Sequence, residues 1–268
     1  MLADGLNGQS RLTCSQAASR WGGLSGGSSV VESLATGAKP SKEEIMTCIL
    51  VAHLGSEVVV AADKRATRYE ADGSLTVHGD DVQKIIRTPA GIVTGCGMVE
   101  MLNPVKDHLS AQGFATTDEV LELIQQTRKT YAKANATNPR LASDLAKTGW
   151  LFTYPSTTNG QDVTRAVFFH PSLSTETFAV VPEGSVMCFP AGFSREQAQE
   201  VQAQFQEVVT SSLSSHPYPQ AKQTVLGFML HLMSEVSKTS IAVSSACDVA
   251  VINGAIADIW LNVSSDDV

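Results

Sequence analysis

The sequence predicts an α+β protein with a mainly antiparallel sheet held between helical layers. Three observations lead to that class. The apolar runs at residues 49–52 and 58–62 are continuous rather than alternating, as in strands buried on both faces. Strand-like and helix-like stretches come in blocks: strands, two helices, strands, two helices, strands. The regular βαβ alternation of a doubly wound parallel sheet is absent, and no internal repeat is visible.

The elements follow in chain order. Residues 49–52 and 58–62, joined through Leu54-Gly55-Ser56, read as a hairpin. Turn signals at Asp72-Gly73 and His78-Gly79 precede expected strands at 82–86 and 91–94. Gly95-Cys96-Gly97 then leads into a helix over 98–108, and Thr117-Asp118-Glu119 starts a second running to about 135, its acids suited to a helix amino terminus. Strands are expected at 150–154, 163–169 and 177–181. Ser194, with Glu196 and Gln197 behind it, opens a helix to about 212, and Pro219 opens another to about 238. Strands at 248–252 and 256–263 close the chain.

The 268 residues are 43% hydrophobic and 17% charged, enough apolar material for one full core. A net charge of −8 without any Lys/Arg run disfavours nucleic acid and anionic lipid as partners. No apolar stretch approaches the roughly 20 residues that span a bilayer. The five cysteines, Cys14, Cys48, Cys96, Cys188 and Cys247, show no CxxC spacing and fit a reduced, cytoplasmic setting. The six histidines lack paired metal spacing, so no metal and no cofactor is expected.

Residues 1–46 differ in composition from the rest. They hold seven of the 20 glycines and eight serines, and their four basic and four acidic side chains cancel, so the whole −8 resides in residues 47–268. Such a stretch buries too little to offset its ordering entropy. It reads as a disordered tail, a propeptide, or translated upstream sequence with the start at Met46, and residues 47–268 form one domain.

Chemistry concentrates just after that boundary. Thr47 precedes the first apolar run, Ala61-Ala62-Asp63-Lys64-Arg65-Ala66-Thr67 ends the second with Asp63 sixteen positions on, Lys84 precedes two aliphatics, and Gly97 enters a helix. Over residues 47–112 this pattern resembles the β subunits of proteasomes, of the bacterial proteasome homologue type, among the N-terminal-nucleophile hydrolases. The resemblance implies a four-layer αββα sandwich and a threonine-type endopeptidase with catalytic residues Thr47, Asp63, Lys84 and Gly97.

The chemistry implied is self-contained. A free α-amine, with a pKa of about 8, can take the proton of its own Thr hydroxyl. By resemblance, Lys84 sits beside the Thr47 hydroxyl, Asp63 holds Lys84 charged and oriented, and the Gly97 N–H faces the developing oxyanion. Thr67 aligns the substrate, while Ala66, Val82, Ile86, Gly95 and Val99 surround its side chain. Arg65 braces the nearby turn.

The auxiliary residues depart from the family pattern. Ala191, in Pro190-Ala191-Gly192-Phe193, stands where a Ser is usual, and Ser244-Ser245 follow Ile241-Ala242-Val243 without the usual Asp. The resemblance further implies a homo-oligomeric double ring acting on unfolded protein or peptides, and names no ATPase unfoldase. Two rival readings stand beside it: a non-proteolytic structural ring subunit, and an amidase acting on a small molecule.

Overall fold

The computed structural model describes residues 47–70, 74–190 and 193–267. The segment 1–46, the Asp72-Gly73 turn and Ala191-Gly192 lie outside the described residues. The chain is α+β, and among the described residues every strand pair is antiparallel.

The hairpin of β1 (Ile49–His53) and β2 (Glu57–Asp63) forms where the two apolar runs predict it. All of β1 is buried, as is β2 after Glu57. A second hairpin, β3 (Ala66–Tyr69) with β4 (Leu75–Gly79), stands apart as its own two-stranded sheet. The strand expected from residue 82 begins only at β5 (Ile86–Thr88), which pairs with β6 (Gly91–Cys96). Residues 82–84 instead tie to other parts of the site through Val82 N–H, bonded to the Lys64 carbonyl at 3.2 Å, and through Lys84.

Two long helices follow, α1 (Val99–Gln112) and α2 (Thr117–Ala134). The cap of α2 is Thr116, one residue before the expected position, and its side chain accepts the Glu119 N–H. A short helix α3 (Leu141–Lys147), which the sequence pattern did not separate, leads into β7 (Gly149–Thr158), β8 (Gln161–Phe169) and β9 (Ala179–Val180). Another unforeseen strand, β10 (Val186–Phe189), returns to the first sheet beside β1. Next come α4 (Arg195–Ser215), opened by a capping box of Ser194 and Gln197, and α5 (Tyr218–Thr239). The last strands are β11 (Cys247–Asn253) and β12 (Ile256–Val263).

The strands assemble as β10-β1-β2-β11-β12 and β5-β6-β7-β8-β9. Because successive side chains on a strand point to opposite faces, each central strand feeds two apolar clusters. On one face Leu50, Val59 and Ala61 meet Phe205 and Val209 of α4 and Val225 and Met229 of α5. On the other, Ile49, Val51, Val60 and Ala62 meet Ile92, Leu151 and Phe168 of the second sheet. The far face of that sheet packs Val93, Trp150 and Phe152 against Val105 and Leu109 of α1 and Val120 and Ile124 of α2. The apolar helix residues 99–102 and 225–230 are therefore largely spent inside, since Met101, Leu102, Val225, Met229 and Leu230 are buried. Among the described residues no helix is long and apolar enough to cross a membrane.

Phe168 marks where the sheets meet: it is fully buried, and its ring centroid lies 4.3 Å from that of Phe189. Phe168→Ala is expected to lower unfolding free energy by about 3–5 kcal/mol, the usual loss for emptying an aromatic core site. Leu173→Ala, at a position 58% exposed, is expected to change it by less than about 0.5 kcal/mol. Chemical denaturation of both variants checks the pair.

Candidate active site

The site begins where β2 leaves its ladder. Asp63 is the last residue of β2, fully buried, and its carboxylate is filled from three directions. Oδ1 accepts the Cys48 N–H at 3.0 Å and Lys84 Nζ at 2.8 Å, and Oδ2 accepts the Arg65 N–H at 2.9 Å. A buried carboxylate is tolerated only with such compensation, one ion pair and two main-chain donors. The Asp63 N–H in turn donates to the Cys48 carbonyl at 3.1 Å, so the residue after Thr47 is held by both its main-chain groups.

Thr47 itself is 5% exposed and lies two residues before β1. Strand alternation puts it on the face of Ile49 and Val51, the face between the two sheets. Cys48 lies on the opposite face, in the cluster under α4 and α5, together with Cys188 and Cys247. Burial raises the thiol of Cys48 well above its ordinary value and those of Cys188 and Cys247 to about 12. None of the three serves as a ready nucleophile.

Lys84 lies within a segment, residues 80–85, with no helix or strand of its own. Its position comes from its neighbours: the Asp63 ion pair on the side chain, and Lys106 Nζ of α1 donating to its carbonyl at 3.0 Å. Arg65 braces the start of the same segment through two bonds to Asp80, at 2.6 and 2.7 Å, and reaches the Ile241 carbonyl at 3.1 Å.

Gly97 precedes Met98, the residue that caps α1. Its φ is +104°, and a Cβ there would lie 2.4 Å from Thr148 Oγ1, so glycine is required on both counts. Thr148 also accepts the Met98 N–H at 3.0 Å, standing in for the side-chain cap that Met98 cannot supply.

The residues expected around the substrate side chain lie on several elements. Ala66 opens β3 and is half-buried, as are Thr67 and Ile86, which opens β5. Val82 and Val99 are exposed. Gly95 is buried and faces α1, where Leu102 would crowd any side chain placed on it. All of them are uncharged.

Four further residues join the cluster. Lys64, inside the motif, has its Nζ 3.0 Å from Asp248 Oδ1 on β11, with both side chains buried. Its N–H donates to Ser244 Oγ at 2.9 Å, and that hydroxyl donates to the Ala246 carbonyl at 2.7 Å. Ser244 is therefore committed to holding the Lys64 main chain. The fourth, Lys106, lies on the buried stripe of α1 with Leu102, Val105 and Leu109. A lysine at a core-spaced position was a visible signal; the Lys64–Asp248 pair, 184 residues apart, left none.

A groove of about 280 Å³ lies elsewhere, between the β9 and β10 edges, and shares no residue with this cluster. Among the described residues no three His, Cys, Asp or Glu side chains converge as a metal site.

The sequence matches no family model and no curated protein. Among solved structures the chain is similar to Anbu, the ancestral β-subunit, from Yersinia bercovieri, with a TM-score of 0.51 and 12% identity, covering 81% of this chain and 86% of that one. A mutant Anbu from Hyphomicrobium sp. strain MC1 gives a TM-score of 0.49 and 11% identity over 82% and 91% of the two chains. At this identity the Yersinia likeness speaks to the fold. It also corrects the affiliation that the motif implied: the neighbour is Anbu, proteasome-like but distinct from the bacterial proteasome homologue type. The reason is physical. A motif confined to residues 47–112 specifies one hairpin, one ion pair and one helix entry, which other chains of this fold can share.

The Lys64–Asp248 pair gives a stability test. Asp248→Ala leaves an uncompensated buried ammonium and is expected to cost about 3–5 kcal/mol. The double variant Lys64→Met/Asp248→Leu removes both charges and is expected to recover most of that loss. Urea unfolding of the single and double variants decides it.

Proposed function

We propose that this chain is a proteasome-like subunit of the N-terminal-nucleophile type that hydrolyses peptide bonds with Thr47 exposed as its amino terminus. The observation that carries the reading is the Asp63 carboxylate, which holds Lys84 and the N–H of the residue following Thr47 on the same oxygen. A scaffold strand has no need of a buried lysine paired to the carboxylate that also holds its first residues. The three apolar clusters support the αββα arrangement for residues 47–268.

In this reading the neutral α-amine of Thr47 takes the proton from its own Oγ, directly or through water, as Oγ attacks the substrate carbonyl carbon. The charge that develops on the carbonyl oxygen is met by the Gly97 N–H at the entry of α1. The protonated amine returns its proton to the leaving nitrogen, the C–N bond breaks, and water hydrolyses the Thr47 ester by the reverse proton path. Lys84, ion-paired with Asp63, favours the ionised Oγ and the neutral amine. Thr67 aligns the peptide. Ala66, Val82, Ile86, Gly95 and Val99 form a wall without a counter-ion, which favours apolar substrate side chains through the desolvation penalty on charged ones.

Such a nucleophile, freely exposed, would cut any unfolded chain it met. Enclosure in a closed homo-oligomeric ring, with Thr47 on the inner side, confines it, and a heterologous interface that closes on itself builds that ring. Likeness to a protein described as a β-subunit supports assembly. One observation favours the rival, a ring subunit without proteolysis: the Ser244 hydroxyl is already engaged with Lys64 and Ala246 rather than free to tune an amine.

One set of measurements separates them. Intact mass is expected to show a chain beginning at Thr47, and a fluorogenic peptide panel to be cut faster after Leu or Phe than after Arg or Glu. Thr47→Ala is expected to abolish cleavage, and Lys84→Ala to lower it by at least about a hundredfold, the usual loss for one preorganised charge. Wild-type rates in Lys84→Ala, or active protein retaining Met1, contradict the proposal.

A further inference from the structure

Lys106 departs from the apolar pattern of α1. Its neighbours on the stripe, Leu102, Val105 and Leu109, pack into the cluster under the second sheet, and Lys106 is itself buried. An aliphatic stem that merely covered apolar surface would carry its ammonium out to water. Here Nζ turns inward and donates to the Lys84 carbonyl at 3.0 Å.

The segment that carries Lys84 has no ladder to fix it. Its lysine is gripped twice, at the side chain by Asp63 of β2 and at the carbonyl by Lys106 of α1. The same helix is entered through Gly97 and Met98. A single rigid element thus fixes both the lysine of the ion pair and the turn that offers the Gly97 N–H.

We propose that Lys106 is a positioning residue that ties the Lys84 main chain to α1 and, through its own charge, sets the positive field behind the Lys84–Asp63 pair. The catalytic consequence rests on the Thr47 reading above. The tie itself rests on geometry alone.

The charge on Lys106 is conditional. Burial, and secondarily repulsion by Lys84, hold its pKa down to about 8, with Cys96 at the end of β6 and Asp107 on α1 pulling the other way. Of the other elements packed on α1, β5 contributes one charged residue, Arg87, which is exposed, and α2 turns Val120 and Ile124 inward. Below a pH of about 8 two ammonium groups therefore stand behind the nucleophile. As pH rises through that value Lys106 turns neutral, keeps its hydrogen bond and loses its field. The stabilisation of the ionised Thr47 oxygen weakens just where the α-amine has become neutral and able to accept a proton.

The experiment is a kcat and KM profile on a fluorogenic peptide from pH 6 to pH 10 for wild type, Lys106→Met and Lys106→Arg. Wild type is expected to show a falling limb with a midpoint of about 8. Lys106→Met should lower kcat on the order of tenfold, with KM within about twofold and no such limb, the effect of one charge acting through a neighbour. Lys106→Arg, charged throughout, should retain activity and move the limb upward. Identical limbs in all three proteins overturn the proposal, and Lys106→Arg keeps the test open if Lys106→Met does not fold.

A second readout does not depend on catalysis. With ¹³C-labelled lysine, the Lys106 titration observed by NMR is expected to move upward in Lys84→Met, because the repelling neighbour is gone. An unchanged midpoint overturns the coupling. If the protein cuts no peptide yet the Lys106 midpoint moves, the peptidase reading fails while the tie between the lysines stands.

Discussion

The structure turns on one carboxylate. Asp63 is fully buried at the end of β2, and its two oxygens accept a lysine ammonium and two main-chain N–H groups drawn from three separate stretches of chain. Removing any donor strands charge in a medium that cannot solvate it, so the arrangement is held as a unit. It fixes the first residues of β1, the departure of the chain toward β3, and the loop bearing Lys84. The next residue repeats the device in the other direction: Lys64 binds Asp248 of β11, anchoring the same corner to the neighbouring strand.

These ion pairs lie among closely covered apolar layers, where each charge needs its partner. β1 and β2 are buried on both faces, under α4 and α5 on one side and against the second sheet on the other. A hairpin so enclosed cannot shift register without moving an entire apolar row into the wrong cluster. Its ends therefore present Thr47 and Asp63 at set positions. The second sheet does the same for Gly97, whose positive φ and contact with Thr148 fix the entry of α1.

What the sequence disclosed follows from the range of its signals. Continuous apolar runs announced β1 and β2, and the cap chemistry of Ser194 and Gln197 announced α4. Asp63 and Lys84 were legible through their spacing after Thr47, and they do form the expected ion pair. The short elements α3 and β10 escaped because seven and four residues carry too little periodicity, and β10 exists by pairing with β1 across most of the chain. Residues 82–84 looked like strand, yet Val82 and Lys84 bond to Lys64 and Asp63 instead of a ladder. The Lys64–Asp248 pair was hidden because nothing local links two side chains so far apart in sequence. Affiliation was misread for a related reason: the motif describes the site, whereas the likeness to Anbu is spread over the whole fold.

The central claim is that Thr47 acts with both its hydroxyl and its own free amine beside the Lys84–Asp63 pair. A peptide epoxyketone tests it most directly, because forming its ring adduct consumes the hydroxyl and the α-amine of one amino-terminal threonine. After treatment, peptide mapping by mass spectrometry is predicted to find the adduct on a peptide that begins at Thr47, and to find none in Asp63→Asn. An unmodified Thr47 in folded wild-type protein, or an adduct carried by another residue, would contradict the account.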